Sequence, residues 1–331
     1  MKHKILVIGG AGFIGYNFID KCLNKKMSVI NIDPLKYSAN KKEILKFNKN
    51  KNYFFYKKDM NDKVLIKKVL NDHDITTIIN FASESHVDNS IDSPKYFFTN
   101  NCVKFIDFLD ALQNYYHKLD PNKKKRFKFL YVSTDEVYGS LLLKEKPFNE
   151  HSNLKPNNPY SSSKAAAELI LRSFSNTYNF PYMISNCSNN YGKFQNDEKL
   201  IPTIFRNAIK KKKIPIYGNG KNIRDWIFVE DHCMALLKIL QKGKNKEKYN
   251  IGGNCELSNI EIAKMICEIL NKKIPINFNY TKLLKFVKDR PGHDFRYAIN
   301  SSKMKKFNWV PKTNLKEGLI KISSYYINKY N

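Results

Sequence analysis

Short, nearly unbroken apolar runs along this chain alternate with stretches whose apolar residues recur at helical spacing. Residues 4–8 (KILVI) form the first run and end in glycines; Phe13, Ile14, Phe18, Ile19 and Leu23 then predict a helix over 13–25. The run 28–32 (SVINI) predicts a second strand closing at Asp33, followed by a strand near 52–56, a helix near 62–71 and the strand TTIIN at 76–80. A long helix is predicted over 93–118, a surface loop over 120–126 and the strand FKFLYV over 127–132. A helix from Pro159 to about 178 and a strand near 181–187 continue the order. Strands apolar along their full length lie buried on both faces, so the pattern predicts an α/β fold with a doubly wound parallel sheet.

Beyond about 190 the regularity ends. Helices at 199–213, 231–242, 258–271 and 314–328 are predicted between irregular loops richer in Gly and Pro. We expect a first domain over 1–188 and a smaller lobe over 189–331 closing over a site, with some exchange of strand and helix between them. In the helix near 93–118, Phe98, Cys102, Phe105, Leu109 and Leu112 form one stripe while Val103 and Ile106 point elsewhere; the helix near 160–178 is also apolar on more than one face. Two apolar faces need two partners, which predicts a homodimer paired through these helices.

Composition removes several classes. The chain has 331 residues, 42% of them hydrophobic, so wholesale disorder is not expected. Its 6 cysteines include no Cys-x-x-Cys pair, which argues against a disulfide scaffold, a zinc ribbon or any metal site. No signal peptide is read at the N-terminus, and no apolar run reaches the ~18 residues of a membrane helix. A cytoplasmic protein is expected. The net charge of +28 would ordinarily suggest nucleic acid. Here Lys is dispersed, Arg occurs only six times, and the clusters Lys123–Arg126 and Lys210–Lys213 read as a loop and a cationic helix C-terminus. A solvated surface without a specific nucleic-acid partner is expected. The scarcity of Arg singles out Arg224, Arg290 and Arg296, which lie in distinctive short motifs, because a planar fork on phosphate is what Lys cannot replace.

Gly9-x-x-Gly12-x-x-Gly15 sits between the first strand and first helix, where glycine permits a tight turn and brings backbone N–H groups to a pyrophosphate. Phe13 and Ile14 belong to the same turn. Asp33 at the end of the second strand would bind both ribose hydroxyls and repel a 2′-phosphate, favouring NAD over NADP. Asp59 is a candidate for the adenine amino group or for a helix N-cap. Tyr160-x-x-x-Lys164 places two side chains on one helical face, an arrangement suited to taking a proton from a hydroxyl whose carbon loses hydride. Thr134, in STDEVYG at 133–139, can bond the same hydroxyl. Asp135 and Glu136 beside it exceed what simple dehydrogenation needs; an elimination needs one acid and one base.

These residues resemble the nucleotide-sugar 4,6-dehydratases of the extended short-chain dehydrogenase/reductase superfamily, nearest the branch acting on dTDP-glucose. The motifs span nearly the whole chain: GGAGFIG (9–15), FASESHVDNSI (81–91), STDEVYG, YSSSK (160–164), NNYG…EKLIP (189–202), IYGNGKNIRDW (216–226) and DRPGHDFRY (289–297). The resemblance implies that Tyr160 takes the C4 hydroxyl proton as hydride passes to NAD. Glu136 would then remove the C5 proton while Asp135 protonates the departing C6 hydroxyl, and hydride returns to C6. Lys164 would orient the ribose and depress the Tyr160 pKa. Asn190, Arg224, Asn259 and Arg290 would grip pyrophosphate and nucleoside. Lys199, Leu200, Pro215, Ile216 and Tyr217 would line base and ribose, with His293 and Tyr297 nearby. Glu84 and Ser85 would face the glucose, and His86 would make a structural hydrogen bond.

The chain departs from the family pattern at Asn89 and Asn186, where Arg is usual, at Asn219 in place of Asp, and at Lys193-Phe194 in place of Pro-Tyr. Changes at 193–198 are expected to adjoin the base, so UDP-glucose stands beside dTDP-glucose as substrate. Asp135 with Glu136 argues against a UDP-glucose epimerase or UDP-glucuronate decarboxylase, and the Asp-Glu pair against a GDP-mannose dehydratase, whose relatives favour Ser-Glu. Retention of the acid–base set argues against an inactive NAD-binding sensor.

Overall fold

The computed structural model describes residues 4–331. Its first half follows the predicted alternation: β1 (Lys4–Ile8), α1 (Phe13–Asn24), β2 (Ser28–Ile32), α2 (Lys41–Lys46), β3 (Tyr53–Tyr56), α3 (Lys63–Asp72) and β4 (Thr77–Asn80). There follow α4 (Val87–Asp92), α5 (Pro94–Phe98), α6 (Lys104–Lys118), α7 (Pro121–Arg126), β5 (Lys128–Thr134), α8 (Pro159–Tyr178) and β6 (Met183–Cys187). The second half contains β7 (Asn189–Tyr191), α9 (Leu200–Ile209), β8 (Ile214–Tyr217), β9 (Ile223–Phe228), α10 (Val229–Lys242) and β10 (Glu247–Ile251). It ends with β11 (Glu256–Ser258), α11 (Asn259–Lys273), β12 (Leu284–Val287) and α12 (Leu315–Tyr330).

A seven-stranded sheet in the order β10-β6-β5-β4-β1-β2-β3 is parallel throughout. β1, β2, β4, β5 and β6 are buried on both faces because helices cover both, with separate apolar cores above and below, while edge strand β3 leaves Phe54 exposed. The strand order reverses beside β1 and β4, and ligands bind such sheets at the carboxyl ends of strands near that point. The second half builds a further core around α9, α11 and α12 and two small sheets, β11-β9-β7 and β12-β8. Residues 229–251 return to the first sheet: β10 pairs in parallel with β6, and α10 packs on α1.

Three local expectations are corrected. The helix predicted over 93–118 is interrupted: Pro94 starts α5 and a π-helical turn at Thr99–Val103 joins it to α6. The wider turn buries Asn100 and Asn101, and the Asn101 amide bonds both the backbone N–H and carbonyl of Glu84 and the Ser163 hydroxyl. The segment read as a loop over 120–126 is helical, because Asp120 caps the Lys123 N–H at 3.0 Å and Pro121 occupies the first helical position. The helix predicted to 213 ends at Ile209, and Lys211 adopts φ 52°, so the Lys210–Lys213 cluster lies beyond the last turn.

Candidate active site

The turn from β1 into α1 is set by steric necessity. At Gly9, φ is 76° and a Cβ would stand 2.6 Å from the Ala82 nitrogen; at Gly15 a Cβ would stand 2.6 Å from the Gly9 carbonyl oxygen. A Cβ at Gly12 would meet only the Gly9 carbonyl oxygen, at 3.5 Å, and Gly12 is the N-cap of α1 without a side-chain cap, so the first N–H groups of that helix remain available to an anion. Two cavities flank the turn. One, about 100 Å³, is lined by Asp33, Asp59, Lys36 and Glu84; the other, about 250 Å³, is lined by Phe13, Ile14, Gly15, Thr134, Asp135, Glu136, Tyr160 and Lys164. They share Gly9, Gly12, Ser38, Phe81 and Ser83. A glycine turn at a helix N-terminus, a buried acid at the end of β2 and a channel to the Tyr160 pair fit an extended dinucleotide. The Asp33 oxygens accept from the N–H of Ala11 at 2.9 Å and of Leu35 at 2.7 Å, which fixes the carboxyl group at the cavity wall. Asp59 accepts from Met60 N–H and Lys104 and does not cap α3; Asp62 does.

The reacting centre combines the end of β5 with the first turns of α8. Asn158 and Ser161 form a capping box and Pro159 opens the helix, so Tyr160 and Lys164 stand one turn apart on a rigid start. Lys164 Nζ donates to the Val132 carbonyl at 2.9 Å and lies 4.2 Å from the Tyr131 ring centre, and burial lowers its pKa to about 8. Tyr160 is pushed well above the ordinary phenol range, by burial first and then by Glu136, with Thr134 working the other way. Burial of the ring is the largest influence on this phenol.

Asp135 and Glu136 are adjacent in sequence but differ in environment. Asp135 is 3% exposed, accepts from Thr134 Oγ1 at 3.3 Å through one oxygen, and leaves Oδ2 without a partner. Burial, then Glu136, then Asp225 hold its carboxyl well above the usual carboxylate range. Burial also raises Glu136, but Arg224 and Lys199 pull it back. Two carboxyl groups pushed apart in this way can serve as acid and base.

Beyond Glu136 a third cavity, about 360 Å³, opens toward the second lobe and shares Ser85, Glu136, Asn189, Glu198 and Lys199 with the reacting cavity. Leu200, Pro215, Tyr217, Arg224, Asn259, Arg290, His293 and Tyr297 all line it, as their motifs predict. Lys199 donates to the Ser85 carbonyl at 2.8 Å, and His293 meets Asp289 at 2.6 Å. His86 makes its expected structural bond, accepting the Asn89 N–H as the N-cap of α4.

Five expectations are revised. Ile216 is 1% exposed in the second-lobe core, since alternation along β8 sends Pro215 and Tyr217 to the cavity and Ile216 away. Glu84 faces the smallest cavity, bound to Lys36 at 2.8 Å and Tyr96 at 3.1 Å, not a sugar site. Asn190 lines the reacting cavity, not the outer one, with its oxygen held by His232 Nδ1 at 2.8 Å. Lys193 and Phe194 line none of the three cavities; the Phe194 ring lies 4.4 Å from Tyr16 and 5.1 Å from Tyr325. Asn186 is fully buried, bonded to the Thr134 carbonyl at 3.0 Å and Glu168 at 2.7 Å, and Asn219 accepts the Lys221 N–H in its glycine turn. Arg296 is structural: its fork binds Glu256 and the carbonyls of Leu142 and Glu145. Sequence reasoning missed Ser38, Ser83, Glu198, Asp88 and Asp294 in the cavity walls. All but Ser38 lie inside motifs already noted, so those motifs were the available signal.

The chain is similar to known proteins over nearly its whole length. A family model described as GDP-mannose 4,6 dehydratase matches residues 6–322. A dTDP-glucose 4,6-dehydratase of Haemophilus influenzae is 44% identical over 330 residues, covering 98% of each chain. The crystal structure of a dTDP-glucose 4,6-dehydratase from Bacillus anthracis in complex with NAD is 40% identical, with a TM-score of 0.86 over 98% of this chain and 97% of that one. DesIV, a dTDP-glucose 4,6-dehydratase from Streptomyces venezuelae with NAD and TYD bound, is 32% identical, with a TM-score of 0.88 over the same shares.

Proposed function

Because the chain belongs to the nucleotide-sugar 4,6-dehydratase family, we propose that it converts dTDP-glucose to dTDP-4-keto-6-deoxyglucose and water. The glycine turn and Asp33 would hold NAD, which would supply reversible hydride acceptance, so that no net redox change results. Tyr160 takes the proton of the C4 hydroxyl, with Thr134 bonding the same oxygen. Lys164, cationic below about pH 8, stabilises the phenolate as it forms. Oxidation at C4 acidifies the C5–H bond. Glu136, kept more ionisable by Arg224 and Lys199, removes that proton and returns it to C5 once C6 has regained hydride. Asp135, held protonated by burial, gives its proton to the C6 hydroxyl, which leaves as water. The outer cavity takes the nucleotide: Lys199 and Arg290 face the diphosphate, and Tyr217, Leu200 and Pro215 line base and ribose.

The observation that carries this reading is the unequal pair Asp135–Glu136 beside Tyr160 and Lys164 at the junction of the cofactor-side and outer cavities. Neither carboxyl group is needed for C4 oxidation alone. Turnover of dTDP-glucose and UDP-glucose side by side, with and without added NAD, tests it. Loss of one water by mass spectrometry and alkali-induced absorbance of the keto sugar are expected, with dTDP-glucose preferred. NAD binding without loss of water from either sugar would sink the reading.

We further assign residues 1–188 to NAD and 189–331 to the nucleotide sugar, with 229–251 returned to the first sheet. A homodimer through α5, α6 and α8 is supported by Phe98, Ile106, Leu169 and Tyr178, exposed on those helices, and by exposed Val103 in the π-helical turn between the first two. Among the described residues no helix is long and apolar enough to cross a membrane, and a cytoplasmic location fits the free cysteines.

A further inference from the structure

The outer cavity is lined by the cations Lys199, Arg224 and Arg290, and they are committed in different ways. Arg224 is turned inward: its Nη atoms donate to the carbonyls of Ile223, Phe295 and Asp294, and its guanidinium lies 4.1 Å from the Tyr297 ring centre. Lys199 is held by the Ser85 carbonyl. Among the described residues, only Arg290 of the three forms an ion pair, and its partner is Asp88 in the first turn of α4. Arg290 Nε and Nη2 donate to the two oxygens of Asp88, the second at 3.0 Å, while the guanidinium lies 5.4 Å from the Tyr217 ring centre. This contact uses one edge of the fork. Both hydrogens on Nη1 and one on Nη2 remain.

By its charge alone, a carboxylate in the wall of a diphosphate site opposes the ligand. Its presence is understandable through what it does to Arg290. That residue sits in the loop after β12, and the two bonds to Asp88 tie the 289–293 tip to an element of the first half of the chain. α4 packs against α8, the helix that carries Tyr160 and Lys164. An Arg held at one edge and laid near an aromatic ring has already lost the rotamer freedom that binding would otherwise cost. Resting on the function proposed above, we propose that Asp88 is a positioning residue: it holds Arg290 across the two halves of the chain so that the free edge of its fork meets the diphosphate of the nucleotide sugar.

The sign of the effect decides. If Asp88 acts only through its charge, removing it tightens diphosphate binding; if it positions Arg290, removing it weakens binding. Calorimetric titration of the full-length protein with dTDP and with UDP, for wild type, Asp88→Asn, Asp88→Ala, Arg290→Lys and Asp88→Asn/Arg290→Lys, reads this directly. Each Asp88 variant should bind dTDP about tenfold more weakly and raise KM alike, with kcat falling less than about threefold. In the Arg290→Lys background, which keeps the charge and loses the fork, Asp88→Asn should add nothing. Unchanged or tighter binding by folded Asp88 variants overturns the proposal, as does an equal loss in the Arg290→Lys background. A wild type that binds neither dTDP nor UDP would instead bring down the function proposed above, and this inference with it.

Discussion

The reacting centre and the outer pocket are built on opposite plans. Thr134, Asp135 and Glu136 follow one another at the end of β5, and Tyr160 and Lys164 share the first turns of α8. Lys164 is held by the Val132 carbonyl, but the carboxyl groups keep unused capacity, as in the partnerless Asp135 Oδ2. The outer pocket draws on α4, the 198–200 segment, β8, β9 and the 289–297 loop, and its Lys and Arg side chains are engaged before any ligand is considered. Chemistry here is prepared by withholding partners so that burial can shift proton affinities. Recognition is prepared by supplying partners so that cations hold still.

The largest effects that would break this contrast lie in the reacting centre. Tyr160→Phe should lower kcat by about 10²–10⁴ while moving KM little, in line with removal of a general base. Glu136→Gln and Asp135→Asn should each cost a similar factor but fail at different steps. In deuterated water the Asp135→Asn variant should still exchange the C5 proton of the sugar without releasing water, because the base survives and the acid is gone. Glu136→Gln should do neither. Equal C5 exchange in both variants would remove the acid and base assignments.

The pH profile sharpens the same contrast. Glu136 must be ionised and burial raises its pKa, so kcat should fall, as pH drops, through a value above the ~4.3 of an ordinary Glu. Lys164 must be protonated and is lowered to about 8, so kcat should fall again as pH rises through about that value. Lys164→Arg should flatten the alkaline limb, since a guanidinium does not titrate there. Burial also lowers the pKa of His86 and His293, so neither should change dTDP affinity above ~6.5, and a change in the alkaline range would report on Lys199, which burial lowers too. A dTDP affinity that follows the kcat profile would show that the two regions are not prepared separately.

The contrast also explains what was legible in the sequence. The glycine turn, Asp33, the Thr134–Glu136 triplet and the Tyr160–Lys164 pair are local patterns whose geometry is fixed by one strand end or one helix turn, so spacing sufficed. Family motifs brought most of the pocket residues to the right cavity, but not their partners. The Arg290–Asp88 pair joins residues 202 apart, and no local periodicity encodes such a pairing. Ile216 was misplaced because its motif was read as a surface, without the two-residue alternation of β8. The π-helical turn was missed because one wide turn inside a strong helical pattern leaves only buried Asn100 and Asn101 as a trace.

The smallest expected effect concerns Lys193-Phe194, which departs from the family pattern and was expected to adjoin the base. Phe194 adopts φ 69° and wedges its ring against Tyr16 and Tyr325, and its carbonyl accepts from Asn40 at 3.1 Å. Asn17 of α1 donates to the Lys193 carbonyl at 3.2 Å. These contacts tie the segment to α1, the helix whose N-terminus faces the cofactor side, and leave Glu198, Lys199 and Leu200 to meet the outer pocket. Phe194→Ala should therefore lower the melting temperature by a few degrees, as loss of a partly buried aromatic contact does, roughly 1 kcal/mol. The ratio of kcat/KM for dTDP-glucose over UDP-glucose should change less than about twofold, because one methyl on a base is worth only ~1–3 kcal/mol even to residues that touch it. A tenfold change in that ratio with an unchanged melting temperature would place Phe194 in the base pocket after all, and would move the boundary between the two regions from residue 198 back to 193.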